Sequence, residues 1–194
     1  MDRFEVIAAG FSGDVEVTRR ALDDNSESVR ASALRALSRA GGLRDEDLRI
    51  AIADESREVR RTVAELAAAH PAVDVRALIH DSDVFVAEMA AWAIGERPNA
   101  NDEEIAALVD ACTSHPEQLV REASAAALGA IGDPRGLDAI ITACSDKPTV
   151  RRRAVLALAP FMEDPRVEPI LRNALTDHDW QVRQNAEDLL NPRY

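Results

Sequence analysis

Apolar residues along the chain recur at intervals of three and four rather than in alternation, the spacing of helices that bury one stripe. Leu137, Ile140, Ile141 and Cys144 form one such stripe, and Ile105, Leu108, Val109 and Cys112 another. A second kind of stripe is richer in alanine, as in Val29, Ala33, Ala36 and Leu37 or Val150, Ala154, Ala157 and Leu158. The first kind predicts A helices and the second B helices. Between each A and B lies a shared segment: DNSESVR (24–30), DESREVR (54–60), DSDVFVA (81–87), HPEQLVR (115–121), SDKPTVR (145–151) and DHDWQVR (177–183). The last positions of these segments are 30, 27, 34, 30 and 32 residues apart. Gly41-Gly42, Pro71, Pro98, Asp133-Pro134 and Asp164-Pro165 fall where a B helix stops and the next A helix starts. Asp, Ser or Thr in the turns before the B helices can accept hydrogen bonds from helix amides. A unit of this length holds two short helices and is too small to form its own core, so units must stack. The pattern predicts an all-α solenoid in one domain, 1–194, with approximate repeats 1–43, 44–70, 71–98, 99–132, 133–163 and 164–194. The first ten residues are expected to form a capping helix.

Composition narrows the classes of function. Aromatic residues make up only 4%, so the core must be built from many small aliphatic contacts. A net charge of -12 opposes nonspecific affinity for nucleic acid or anionic lipid. Lys147 is the one lysine among 23 basic residues, a skew expected of GC-rich, bacterial coding. The amino-terminal stretch lacks the regions of a signal peptide, and no apolar run reaches the roughly 18 to 20 residues of a membrane span, so a cytoplasmic protein is expected. Cys112 and Cys144 occupy matching places on consecutive A helices, which lie roughly 8 to 10 Å apart, too far for a disulfide. They are expected to be reduced and buried. His70, His80, His115 and His178 sit in or near turns and form no metal-ligand pattern, so neither a metal nor a cofactor is expected.

Aspartate, a short turn, Val-Arg, then Ala-x-x-Ala-Leu and a Gly-Asp-Pro turn are best seen around VREASAAALGAIGDP (120–134). This pattern resembles the HEAT-like repeat family, including the variety named after phycobilisome lyases. The resemblance covers nearly the whole chain and implies a right-handed α-solenoid of about six HEAT-like helix pairs. The third repeat departs from it by carrying Ala87 in place of arginine. The family includes scaffolds, lyase subunits, a metal hydroxylase and DNA glycosylases, so the resemblance implies fold far more than function. It also implies a polar ladder between repeats, built from Asp24, Asp54 and Asp177 with Arg30, Arg60, Arg121, Arg151 and Arg183. These arginines could instead form an anion-binding row, but the regular period supplies each with a carboxylate, which favours the structural role. HEAT-like hydroxylases hold iron with His-Glu dipeptides, and none occurs here. A glycosylase needs a basic groove and aromatics near a catalytic carboxylate, whereas Arg151, Arg152 and Arg153 are the only dense basic run. No residue set marks a bilin site.

Used as their own alignment, the repeats show which positions face outward. The sixth residue after the valine of each shared segment is Arg35, Glu65, Trp92, Ala126, Leu156 and Asp188. A position that accepts Arg, Glu and Asp is wet, so Trp92 is expected to be exposed, with Met89 on the same face. The opposing reading folds Trp92 back over its neighbour, because the repeat before it is short. Trp180 is expected to pack against the preceding repeat. Met89, Trp92 and Leu156, flanked by Glu65, Glu88, Arg152 and Arg153, are the candidate partner-binding residues of a concave B-helix face. The expected function is a non-catalytic scaffold, adaptor or regulatory subunit that binds another protein. The alternative is a HEAT-like enzyme or enzyme subunit, a phycobilin lyase or chromophore chaperone before a DNA glycosylase.

Overall fold

A computed structural model describes residues 1–192, so the last two residues of the sixth predicted repeat lie outside the described residues. Among the described residues there are twelve α-helices and no strand, the all-α organisation that the spacing predicts. The chain divides into two compact units, Met1–Ala93 and a second that begins at Ile94.

The first unit opens with α1 (Arg3–Ser12). Asp2 caps it by accepting from the Phe4 amide, and Gly13 ends it at φ 77°, a left-handed conformation that favours glycine. It is followed by α2 (Val15–Arg20), α3 (Glu27–Arg39), α4 (Asp45–Ala51), α5 (Arg57–Ala67) and, as far as Ala93, α6 (Val84–Gly95). Helix α1 packs on α3, and α3 packs on α5. Val6, Ala21, Val29, Ala33 and Ala36 form a cluster in which small side chains let the backbones approach. That approach is close enough that a Cβ added to Gly10 would lie 2.7 Å from the Ala36 Cβ.

The third pair differs from the prediction. Between α5 and α6 there is no α-helix; residues 70–83 form turns around one 3₁₀ segment, Arg76–His80. The 27-residue spacing leaves too little chain for a full A helix after Pro71. Val73, Val75, Leu78 and Ile79 are buried all the same, so the segment supplies the apolar filling that an A helix would have given.

The second unit has three complete pairs: α7 (Asp102–Ser114) with α8 (Gln118–Ile131), α9 (Leu137–Ala143) with α10 (Pro148–Ala157), and α11 (Val167–Ala174) with α12 (Trp180–Leu190). The B helices α8, α10 and α12 pack in sequence. At the first of these contacts a Cβ on Gly129 would lie 2.6 Å from the Ala157 Cβ. Asn101 and Glu104 cap α7 reciprocally, and Glu104 also receives a buried ion pair from Arg97. Burial of this charge is tolerable because both members of the pair are present.

Candidate protein-binding face

The shared segments fold as repeated joints. In three of them, ending at Arg30, Arg60 and Arg121, the arginine donates to two carbonyls of its own turn and chelates the aspartate of the next repeat. Arg30 donates to the carbonyls of Asp24 and Asn25 and, at 2.8 and 2.7 Å, to the two carboxylate oxygens of Asp54. Arg60 does the same with the carbonyls of Asp54 and Glu55 and the carboxylate of Asp81, and Arg121 with those of His115 and Pro116 and the carboxylate of Asp146. Arg151 donates to the Asp146 carbonyl and chelates Asp177. Each aspartate is held from its own side as well: Asp54, Asp81 and Asp177 accept from the amide two residues on, and Asp146 from the Lys147 amide. The carboxylates of Asp81, Asp146 and Asp177 are held below the usual 3.8, chiefly by the arginine hydrogen bonds. Burial pushes Asp54 up, but Arg30 and the Ser56 amide together bring it below the same value.

The ladder thus joins each arginine to the following repeat, so Asp81 and Asp146 are rungs that the sequence reading did not name. The two ends differ from the middle. Asp24 takes the α-ammonium of Met1 at 2.6 Å, and Arg183 holds the carbonyls of Asp177 and His178. A second repeated device is a clip in the turns before A helices: Arg135 chelates Asp133 and Arg166 chelates Asp164, holding both carboxyls at about 2 through side-chain and amide hydrogen bonds. The same clip joins Arg76 to Asp74.

With these arginines committed to structure, the B helices present what is left. In the first unit α6 exposes Phe85 (51%) and Trp92 (42%), with Met89 half-buried between them. Positions 85, 89 and 92 follow the i, i+4, i+7 spacing of one helix face. The Arg61 guanidinium lies 5.9 Å from the Phe85 ring centroid, and Arg35 pairs with Glu65 at 3.1 Å on α3 and α5. Glu88 is half-buried on α6. Thus Trp92, Met89, Glu65 and Glu88 come to one unit, and Phe85 joins them. Phe85 lay inside a segment that matched the ladder template and was therefore not read as an outward position.

In the second unit Leu156 is exposed on α10. Arg152 is not free to face a partner: it chelates Asp179, whose carboxyl is held at about 2 chiefly by that contact. Arg153 lies 3.9 Å from Glu122. The densest basic run of the chain therefore has a carboxylate beside each arginine. Trp180 does not pack against the preceding repeat as expected; it opens α12 and is 64% exposed. The neighbouring Asp179 caps the helix through the Gln181 and Val182 amides, and this directs the first residue of the helix outward.

Other candidate chemistry is quiet. Cys112 is buried and Cys144 half-buried, both are free, and burial pushes each thiol up to about 12. The His115 Nδ1 accepts from the Glu117 amide, which requires the proton of the neutral ring to be on Nε2. Among the described residues no group of three or more His, Cys, Asp or Glu side chains could hold a metal ion, and no helix is long and apolar enough to cross a membrane.

Known proteins place the fold. No curated protein matches the chain. Among solved structures it is similar to YibA of Escherichia coli, with a TM-score of 0.68 and 19% identity over 98% of this chain and 74% of that one. It is similar to a chain in the complex of CpcE and CpcF of phycocyanin lyase from Nostoc sp. PCC7120, with a TM-score of 0.60 and 21% identity over 91% and 75%. It is also similar to a computationally designed armadillo repeat protein for modular peptide recognition, with a TM-score of 0.57 and 16% identity over 97% and 98%. At these identities the likeness shows an α-solenoid fold and nothing finer. The family model of HEAT repeats matches residues 46–128, 72–149 and 138–191, which together are well over half of the sequence, and the chain belongs to the HEAT repeat family.

Proposed function

We propose that the protein binds another protein without catalysis, as a scaffold, adaptor or regulatory subunit, through the B-helix face of its first unit. One observation carries this reading: Phe85, Met89 and Trp92 form an outward stripe on α6 in a chain that is only 4% aromatic. Aromatic and methionine side chains surrounded by charges are the composition of interface anchors. The surrounding charges are of both signs, Arg61, Arg35, Glu65 and Glu88, so the rim suits a polar segment with an apolar centre. The chain's net charge of -12 and the neutralised arginine run favour a protein over nucleic acid as the partner. General support comes from the peptide-recognition armadillo proteins and the CpcE and CpcF complex, which share this kind of fold.

The test is site-specific photocrosslinking in the native lysate, with the photoreactive residue at position 92 and, as a control, at the exposed Glu168 of α11. The expected result is one defined adduct from position 92, absent from position 168 and suppressed by excess unlabelled protein. Identical adducts from both positions would overturn the reading. A purified preparation that carries bilin colour, or that shifts DNA at moderate salt, would contradict its non-catalytic part.

A further inference from the structure

Most of the arginines described above are matched with carboxylates, in the ladder and in the clips. Two arginines of the first unit are not. Arg39 ends α3 and Arg61 lies within α5; both are exposed, and among the described residues neither has a carboxylate within ion-pair distance. Each guanidinium lies instead over an exposed phenylalanine. Arg39 is 4.3 Å from the ring centroid of Phe11 on α1, and Arg61 is 5.9 Å from that of Phe85 on α6. The Phe11 ring is 73% exposed, so the stack is open to solvent. A guanidinium laid on a ring keeps the N–H groups at its edge free, and these can chelate a carboxylate without loss of the stack.

The two stacks lie along one track. Arg35 stands one turn before Arg39 on α3, and Glu65 one turn after Arg61 on α5, so the Arg35–Glu65 ion pair at 3.1 Å lies between the stacked arginines. Arg39 is ten residues after Val29 and Arg61 two after Val59, the matching valine of the next repeat. That difference in helical rise, with one interhelical spacing, separates them by roughly 15 Å, or about four to five residues of extended chain. Along the track three arginines face one glutamate, a local excess of positive charge in a chain whose net charge is -12. Glu88 lies beyond it, on α6 beside the apolar stripe. Negative charge is therefore favoured over α3 and α5, and an apolar side chain over Phe85.

We propose that the partner segment taken by this face is acidic, with one carboxylate on Arg39, a second about four to five residues away on Arg61, and an apolar residue beyond it on Phe85. The inference rests on the reading of this face as a protein-binding surface and gives the chemistry of what it binds. The probes are three peptides of about 12 residues, long enough to cross the B helices of the unit, that repeat Glu-Glu-Leu, Gln-Gln-Leu or Lys-Lys-Leu. Each is titrated into the isotope-labelled full chain and followed by amide chemical shifts. The Glu peptide should give saturable shifts at residues 35–39 and 61–65 with a Kd below about 1 mM. The other two should bind at least about fivefold more weakly, although the charge of the whole chain attracts lysine and repels glutamate. An Arg39→Gln, Arg61→Gln double variant should bind the Glu peptide about tenfold more weakly. Both substituted side chains are exposed, so an unchanged melting temperature shows that the variant is folded. No saturable shift, a Gln or Lys peptide that binds as well as the Glu peptide, or a double variant that binds as the parent does would overturn the proposal. So would a crosslinked partner that the double variant captures as strongly as the parent, and that result would leave the α6 reading standing. Identical adducts from positions 92 and 168, with the peptide results as expected, would overturn the α6 reading alone.

Discussion

A guanidinium that meets four acceptors at once cannot be replaced by another cation. Arg121 donates from Nε and Nη2 to both oxygens of Asp146 and from Nη1 to the carbonyls of His115 and Pro116, and its side chain is largely covered. The planar fork makes this possible, whereas an ammonium has three donors in a different geometry. Arg121→Ala should therefore lower stability by about 1.5 to 3 kcal/mol, the range for hydrogen bonds to charged groups, and Arg121→Lys should recover less than half of the loss in a urea titration. Full recovery by lysine would reduce the rung to simple charge attraction. The arginines of the ladder were legible because they recur at one column of the repeat. Their carboxylate partners were only partly so: Asp146 stands one place later in its segment than Asp54, and a column reading passes over it. Trp180 was misplaced because a large apolar residue in a turn reads as packing, while the Asp179 cap that sends it outward acts through backbone geometry.

Helix positions and types followed from the period, whereas the distances between helices did not. Gly129 sits inside α8, where alanine would ordinarily add about 1 kcal/mol of helix stability. Here the added methyl would lie 2.6 Å from one alanine carbon and 2.7 Å from the Ala157 Cα, so α8 and α10 must separate. Gly129→Ala should accordingly destabilise by more than about 1 kcal/mol, as overpacking does, and lower the melting temperature. A rise in melting temperature would show that the contact is looser than described. The short third repeat has the same lesson. Its 27-residue spacing was visible, but the replacement of an A helix by buried Val73, Val75, Leu78 and Ile79 was not, because a short apolar run has no period long enough to distinguish the two. On α6, counting outward positions from the valine found Trp92 and Met89. Phe85 precedes that valine and was absorbed into the ladder template.

Across the whole molecule the ladder and clips determine how stability responds to acid. An acidic chain with net charge -12 and no such contacts would be relieved of repulsion as its carboxylates are protonated. Here Asp133, Asp164 and Asp179 titrate at about 2 and the rungs Asp54, Asp81, Asp146 and Asp177 below 3.8. Depressed carboxyls contribute fully above their unfolded value and lose that contribution as pH falls through the folded one. The melting temperature should therefore be nearly constant from about pH 7 to about pH 5 and fall between about pH 4 and pH 2. A rise over the lower interval would mean that relief of repulsion dominates. The period and the family resemblance made the solenoid legible at this scale. The binding face was legible only in part, because exposure of an aromatic residue depends on neighbours from other repeats.

The most direct test of the binding account is the affinity of the crosslinked partner, once purified, for the parent protein and for a Phe85→Ala, Trp92→Ala double variant. The account predicts at least about 30-fold weaker binding, or about 2 kcal/mol, with a melting temperature within about 2 °C of the parent. Unchanged affinity, or a variant that unfolds because the two rings were holding α6 in place, would contradict it.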